Sequence, residues 1–437
     1  MSLLHRQSYS IMSLKYSLKY LSRKVLPEDF RVSCFTSLLR FKYKSTIFRL
    51  RRVYGRRKII VAFCVSEIAK WKSQILYDRL ANTDNYYPVI FVYPSPLDFG
   101  RKEFTLETLL HEKLVYFTNK GMNVVNIWND VSNQCVIPEE SQPDIVFYQQ
   151  PWDIPPFPSP SEIADFALTF YIPYYLVNNF NLELELGQVL HRQVFGHVVQ
   201  NEEVASLYDS MLKRKHYGGN RLGLGHTIVD NITTRIFPEE SDYVIYAPHF
   251  SFPVTGTDRF VTYSTFLDNG KLILDFAKQH SEIKWVFKPH PRLKLELKNT
   301  GVWSDVEIES YYADWARIGT VCETPDYIEH FQKSSAMITD CGSFLTEYSC
   351  MDKPLIRLYY HKDNLPPNPI LEKLYSTFYY AHNNNELMTC LEKIICQHQD
   401  PNKADRHEEV VRLRLDRANT SERIIDYMDS LLSSKKL

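Results

Sequence analysis

Residues 284–292 read Lys-Trp-Val-Phe-Lys-Pro-His-Pro-Arg, and residues 336–348 read Ala-Met-Ile-Thr-Asp-Cys-Gly-Ser-Phe-Leu-Thr-Glu-Tyr. Each is an apolar run of buried type that stops abruptly at charged or small polar residues. In the first, Lys288, His290 and Arg292 alternate just past a predicted strand at Ile283–Phe287, and Pro289 and Pro291 stiffen the turn. In the second, Ala336–Thr339 reads as a strand and Asp340, Gly342 and Ser343 as the turn. Phe344–Cys350 then opens a helix. In an open α/β sheet, ligands bind beyond the carboxyl ends of the strands. A helix that starts there presents unpaired backbone N–H groups and a partial positive charge, which suit a phosphate. The two stretches together predict a nucleotide-diphosphate site.

Outward from this pair the same alternation recurs. Ile59–Val65 reads as a buried strand and Glu67–Leu80 as a helix. Strands follow at Val89–Tyr93, Asn123–Ile127 and Asp144–Tyr148, with a helix at Phe104–Asn119. Later come strands at Tyr243–Ala247 and Pro354–Tyr359, and helices at Phe266–Gln279 and Tyr327–Lys333. Alternating strands and helices predict parallel, doubly wound sheets. A chain of 437 residues holds two such domains. The predicted divisions are a basic helical extension at 1–57, Rossmann-like domains at 58–235 and 236–403, and a long C-terminal helix at 404–437. That helix offers Val410, Leu413, Ile424, Met428 and Leu431 for packing. Pro151–Pro160 is too proline-rich for regular structure, and Gly218–Gly225, with four glycines, reads as a flexible turn.

A net charge of −1 hides an asymmetry. Residues 1–58 hold fifteen Lys or Arg against two acids, so the rest of the chain is strongly acidic. Ile11, Leu14, Leu18, Leu21 and Val25 recur at helical spacing, with Lys15, Lys19, Arg23 and Lys24 off that stripe. This pattern predicts an interfacial helix on an anionic membrane surface. The alternative is a helix packed on the body of the protein with its basic face solvated. No nucleic acid is expected as a partner. Eight cysteines without a Cys-x-x-Cys pair, several in apolar runs, fit a reducing compartment. No apolar run reaches the ~18–20 residues that span a bilayer. A cytoplasmic location, peripheral on the inner face of the membrane, is the expectation.

Three blocks carry a resemblance. Tyr-Ala-Pro-His-Phe-Ser at 246–251, Phe-Lys-Pro-His-Pro-Arg at 287–292 and Ile-Thr-Asp-Cys-Gly-Ser-Phe-Leu-Thr-Glu-Tyr at 338–348 are similar to the CDP-glycerol glycerophosphotransferase family, which includes teichoic-acid polymerases and capsule enzymes. The resemblance runs over roughly residues 58–400 and is strongest from 242 to 358. It implies two Rossmann-like domains facing a cleft, the GT-B arrangement. It also implies a CDP-activated donor, a lipid-linked or glycan acceptor, and neither metal nor cofactor. A nucleotide-sugar glycosyltransferase of the same architecture is the enzymatic rival. A nucleotide-binding, non-catalytic partner in envelope-polymer assembly is the other.

Breaking a diphosphate requires stabilisation of charge on the leaving nucleotide and orientation of an acceptor hydroxyl. His290 resembles the family histidine that contacts the donor phosphates, and Lys288 and Arg292 would add charge. Ser343 and the N–H groups of Gly342 and Ser343 suit a phosphate oxygen. Asp340, the second catalytic candidate, fixes the loop, accepts from a donor hydroxyl or orients His290. Glu347, one helical turn after Ser343, suits the ribose hydroxyls. His249 and Ser251 follow a strand and would face the cleft. The family's first-domain His-Gly-Thr-Pro motif, bearing its presumed general base, is absent: this chain reads Thr169-Phe-Tyr-Ile-Pro-Tyr-Tyr-Leu-Val-Asn178 there. Asp153 and His191 or His197 are the candidate substitutes, and His226 is expected in a cleft-edge loop. Tyr171, Tyr174 and Tyr175 could contact substrate, but a phenol with pKa ~10 is a poor base.

Overall fold

The computed structural model describes residues 28–96, 98–100, 105–151, 158–177, 182–213, 219–234, 242–254, 262–324, 327–360, 368–417 and 419–434. Its first sheet joins β1 (Ile59–Val65), β2 (Tyr86–Val92), β3 (Val124–Asn126), β6 (Ile145–Tyr148), β7 (Leu168–Tyr171), β8 (Gly196–Val198) and β9 (Asn220–Leu222). A small hairpin, β4 (Trp128–Asn129) with β5 (Gln134–Cys135), lies outside it. The second sheet joins β10 (Tyr243–Ala247), β11 (Lys284–Phe287), β12 (Gly319–Val321), β13 (Ser334–Thr339), β14 (Leu355–Leu358) and β15 (Tyr379–Ala381). The spatial orders are β3-β2-β1-β6-β7-β8-β9 and β12-β11-β10-β13-β14-β15, parallel throughout. These are two Rossmann-like sheets. Each starts at a central strand and winds outward both ways, so the chain reverses between β1 and β6 and again between β10 and β13. Crevices open at those reversal points.

The sequence of β1 shows why both faces are covered. Ile59, Val61, Phe63 and Val65 enter one core, and Ala62 and Cys64 enter the core on the opposite face. A strand buried on both sides needs a near-continuous apolar run. Likewise β10 sends Val244 and Tyr246 one way, and Ile245 and Ala247 the other. The Ile245 side belongs to a core shared by both domains, which also takes Leu176, Val204, Ile228 and Ile232 from the first.

The Glu28–Val53 helix packs on the first sheet through Leu39, Tyr43, Thr46 and Leu50, all buried at spacings of three and four. Its cations are partly engaged: Lys42 meets Asp165 at 2.8 Å and Arg49 meets the buried Asp144 at 3.4 Å, which Arg57, just past the helix, also meets at 2.6 Å. From about residue 39 onward, the extension is therefore built into the first domain. The Ile11–Val25 stripe lies outside the described residues.

Three sequence expectations differ from the structure. The helix expected at Glu67–Leu80 starts at Gln74, after a single 3-10 turn at Ile68–Lys70 that keeps Lys70 and Lys72 near the cleft. Gly218–Gly225 contains the edge strand β9 rather than only a turn. Its last glycine has φ +120°, and a Cβ there would lie 2.2 Å from the Thr420 hydroxyl, so Gly225 permits close docking of the chain's C-terminal end. The C-terminal helix is two helices, Lys403–Arg412 and Thr420–Ser433, broken where Arg414 takes φ +55°. Val410 and Leu413 pack in the shared core, whereas Ile424, Met428 and Leu431 pack on the first domain. Among the described residues no helix is long and apolar enough to cross a membrane.

Candidate active site

The site forms where β10, β11 and β13 end. Lys288 N donates to Tyr246 O at 2.8 Å, and His290 N donates to Pro248 O at 3.0 Å, so the loop after β11 is laced to the loop after β10. Thr339 Oγ1 donates to Ala247 O at 2.6 Å and accepts from Cys341 N at 2.9 Å, which ties in the loop after β13. Asp340 completes the knot. Its carboxylate accepts from His249 N at 2.6 Å, Thr265 N at 2.7 Å and Thr265 Oγ1 at 3.2 Å. Burial pushes this carboxyl up to about 6, against those stabilising bonds. Asp340 thus fixes the loops, one of the roles expected of it.

Two imidazoles meet above this knot, His249 and His290, with ring centroids 4.8 Å apart. Nδ1 of His290 accepts from Arg292 N at 3.1 Å, and Nδ1 of His249 accepts from Ser251 N at 3.2 Å. The hydroxyl of Ser251 also donates to His249 Nδ1, at 2.8 Å. An Nδ1 that accepts from a backbone N–H carries no proton, so each neutral ring bears its proton on Nε2. Burial, followed by Arg292 and Lys288, lowers the His290 pKa to about 4. Burial, followed by His290 and Arg292, holds His249 well below its usual value. Both rings are therefore neutral N–H donors at physiological pH. Lys288 is buried, and burial lowers its pKa. Arg292 lies over the Phe250 ring at 4.4 Å and pairs with Glu296 at 2.6 Å.

The Gly342–Ser349 helix begins beside them with no side-chain cap at Cys341. Ser343 is exposed, and a Cβ on Gly342 would meet nothing within 4 Å, so this helix end faces open space. Glu347 lies further along the same helix. It is buried, and its carboxylate accepts from the Tyr327 hydroxyl. Burial raises its pKa, and Lys72 partly opposes that rise. As placed, one oxygen of the Glu347 carboxylate is held by Tyr327 at the cleft wall.

The first domain faces this site with residues that the sequence reading folded into a helix. Lys72 Nζ donates to the Tyr327 hydroxyl at 2.8 Å, bridging the two domains. Lys70 pairs with Glu67 at 2.6 Å, donates to Gln150 Oε1 at 2.6 Å and lies 5.1 Å from the Tyr174 ring centroid. Gln150 in turn donates to Ser66 Oγ at 2.9 Å. Ser66 and Glu67 follow β1 and Gln150 follows β6, so this polar row marks the first sheet's own reversal point. Tyr174 lies within electrostatic reach of Glu67, Tyr263 and Glu347, which puts it between the domains. The signal available in sequence was the position of Ser66–Lys72 directly after a buried strand.

The other residues named from the sequence are mostly buried in the first domain. His191 and His197 are fully buried, 3.1 Å apart, and burial lowers the His191 pKa to about 3. Tyr171 donates to the buried Glu185 at 2.9 Å beneath them. His226 is buried and accepts from Ile228 N at 3.1 Å, and burial lowers its pKa to about 4. Asp153 lies outside the described residues. Of these groups, Tyr174 stands beside Lys70 in the polar row after β1, and His226 lies near Lys72.

No family model and no curated protein matches the sequence. Solved structures match the fold. A variant of the wall teichoic acid polymerase TagF has 13% identity and a TM-score of 0.55 over 92% of this chain and 97% of that one. The UDP-GlcNAc 2-epimerase from Neisseria meningitidis, solved with UDP-GlcNAc, has 12% identity and a TM-score of 0.53 over 85% and 99%. S. aureus MnaA, solved with UDP, has 12% identity and a TM-score of 0.51 over 87% and 98%. The chain thus shares the GT-B-like arrangement of two Rossmann-like domains facing a cleft.

Proposed function

We propose that this protein is a transferase moving a phosphoglycerol or related phosphoalditol unit from a CDP-activated donor to a lipid-linked or glycan acceptor of envelope-polymer synthesis. The observation that carries the reading is the paired Nε2–H donors of His249 and His290 beside the open Gly342–Ser343 helix end, with Lys288 at the same strand ends. That arrangement suits two adjacent phosphates. The acceptor enters from the first domain. Its hydroxyl oxygen attacks the phosphorus, and the P–O bond to CMP breaks with its electron pair leaving on CMP. Glu67 takes the hydroxyl proton, the role left open by the missing first-domain histidine. The basic N-terminal segment would hold the protein on the inner face of the membrane.

A nucleotide-sugar transferase is the second reading, favoured by the UDP and UDP-GlcNAc bound to structures of the same fold. Calorimetry across CDP-glycerol, UDP-GlcNAc and UDP-glucose separates the two. CMP release from CDP-glycerol in the presence of a lipid-linked acceptor supports the first reading. Turnover of a UDP-sugar with no CDP-glycerol binding overturns it.

A further inference from the structure

A second cavity lies at the opposite end of the first sheet. It sits under the Glu28–Val53 helix, at the amino ends of β8 and β9, and encloses about 230 Å³. Leu39, Tyr43 and Ile47 line one side, and Val194 and Phe195 the other. The walls are set by core contacts: Tyr43 donates to Gln193 O at 2.6 Å and packs edge-on against Phe195 at 5.4 Å. Three exposed cations, Arg40, Lys44 and Arg192, stand at the rim. An apolar slot with a cationic mouth fits a molecule with a hydrocarbon tail and an anionic head. The space exceeds the ~150 Å³ apolar cavity that takes a benzene ring.

The outer face of the same helix points to where that molecule comes from. Phe30, Leu38, Phe41 and Phe48 are each more than half exposed, Phe41 by 69%. They share one helical stripe, away from Leu39, Tyr43 and Leu50, and Arg52 stacks on Phe48 at 5.9 Å. Residues 30–58 contain ten Lys or Arg and no acid. Aromatic and aliphatic side chains interleaved with cations are the composition of a face that lies on anionic lipid. The other candidate occupant is the chain's own segment 1–27. It carries five Lys or Arg and no acid, so its charge repels the rim.

We propose that this cavity binds one acyl chain of an anionic phospholipid, whose phosphate meets Arg40, Lys44 and Arg192. The inference rests on the membrane part of the reading above and is independent of the donor. The test is calorimetry of the full chain with monomeric dihexanoyl phosphatidylglycerol, dihexanoyl phosphatidylcholine and inorganic phosphate. The expected result is binding of the anionic lipid, with the zwitterionic lipid and phosphate about tenfold weaker or more, because both tail and charge are needed. Arg40→Glu combined with Lys44→Glu should weaken binding about tenfold. Ile47→Trp, which fills the slot, should do the same while leaving CDP binding intact. Phe41→Ser with Phe48→Ser should reduce sedimentation with phosphatidylglycerol vesicles yet keep monomeric lipid binding. If vesicles bind but monomeric lipid does not, the membrane reading stands and the cavity site is overturned. Equal binding of inorganic phosphate, equal binding by all variants, or crosslinks from residues 1–27 to Arg192 or Asn220 also overturn it.

Discussion

Replacing His290 by alanine is the sharpest perturbation of the proposed anion seat. The ring lies between Phe250 at 4.5 Å and His249 at 4.8 Å, so its Nε2–H is fixed before any ligand arrives. Losing one preorganised donor to developing charge costs roughly 3–4 kcal/mol, or ~100- to 1000-fold in kcat. His290→Gln keeps an N–H donor and should recover part of that loss. Because the His290 pKa is lowered to about 4, the free protein holds this ring neutral through neutral pH. The pH profile of kcat/KM should therefore show no histidine limb between about pH 6 and 8. Stability gives an independent readout. A histidine whose folded pKa is depressed contributes stability above its unfolded pKa, near 6.5, and loses it as pH falls through the folded value. The alanine variant should accordingly lose less stability than wild type between about pH 6.5 and 4. Two results refute the reasoning: turnover within a few-fold of wild type in a folded His290→Ala protein, or a kcat/KM limb near 6.5 that the glutamine variant abolishes.

Three further outcomes are expected. Glu67→Gln should lower kcat ~100-fold or more with little change in donor affinity, since it removes the proton acceptor but keeps the shape; equal loss of CDP binding in a titration would place Glu67 with the donor instead. Tyr327→Phe removes the hydroxyl linking Lys72 to Glu347, and should change the discrimination between CDP and its dideoxyribose analogue by freeing the carboxylate; unchanged discrimination would exclude Glu347 from the ribose site. Asp230→Ala should cost about 2–3 kcal/mol and lower Tm by several degrees, because buried Asp230 accepts from Thr420 N, Ser421 N and Ser421 Oγ at 2.9, 2.6 and 2.5 Å; limited proteolysis near residue 416 should accelerate with it.

The parallel sheets were legible because strands such as Ile59–Val65 and Val244–Ala247 are apolar on both faces, a pattern with few other uses. The strand-end residues followed at once, since a polar break after such a strand falls at the sheet's carboxyl edge. Short strands escaped: Gly196–Val198 and Asn220–Leu222 span three residues each, too few to show a period, and are held in place by neighbours distant in sequence. The partners of Glu347 and Asp340 were equally invisible. Tyr327 and Thr265 reach them from segments 20 and 75 residues away, and a single sequence holds no record of such pairings. Glu67, Lys70 and Lys72 were hidden differently. Their charges fit the exposed face of an amphipathic helix, and only the late start of that helix at Gln74 frees them for the cleft.

The neutrality of the two histidines has a thermodynamic consequence for donor binding. Arg292 and Lys288 help hold the His290 pKa down while the seat is empty. A diphosphate placed against the Nε2–H groups reverses the sign of the local field and raises both ring pKa values. Binding then takes up protons wherever the pH lies between the free and bound values, and affinity tightens as pH falls through that window. Asp340 works against this, because its pKa of about 6 means that it also protonates as pH falls, weakening the bonds that hold His249 and Thr265. The two trends predict an affinity maximum on the acid side of neutrality. Calorimetry of CDP binding in buffers of different ionisation enthalpy measures the proton count directly. Uptake that disappears in the His249→Gln, His290→Gln double variant locates it on the two rings. Proton release, or uptake unchanged in that variant, would mean that the phosphates sit elsewhere.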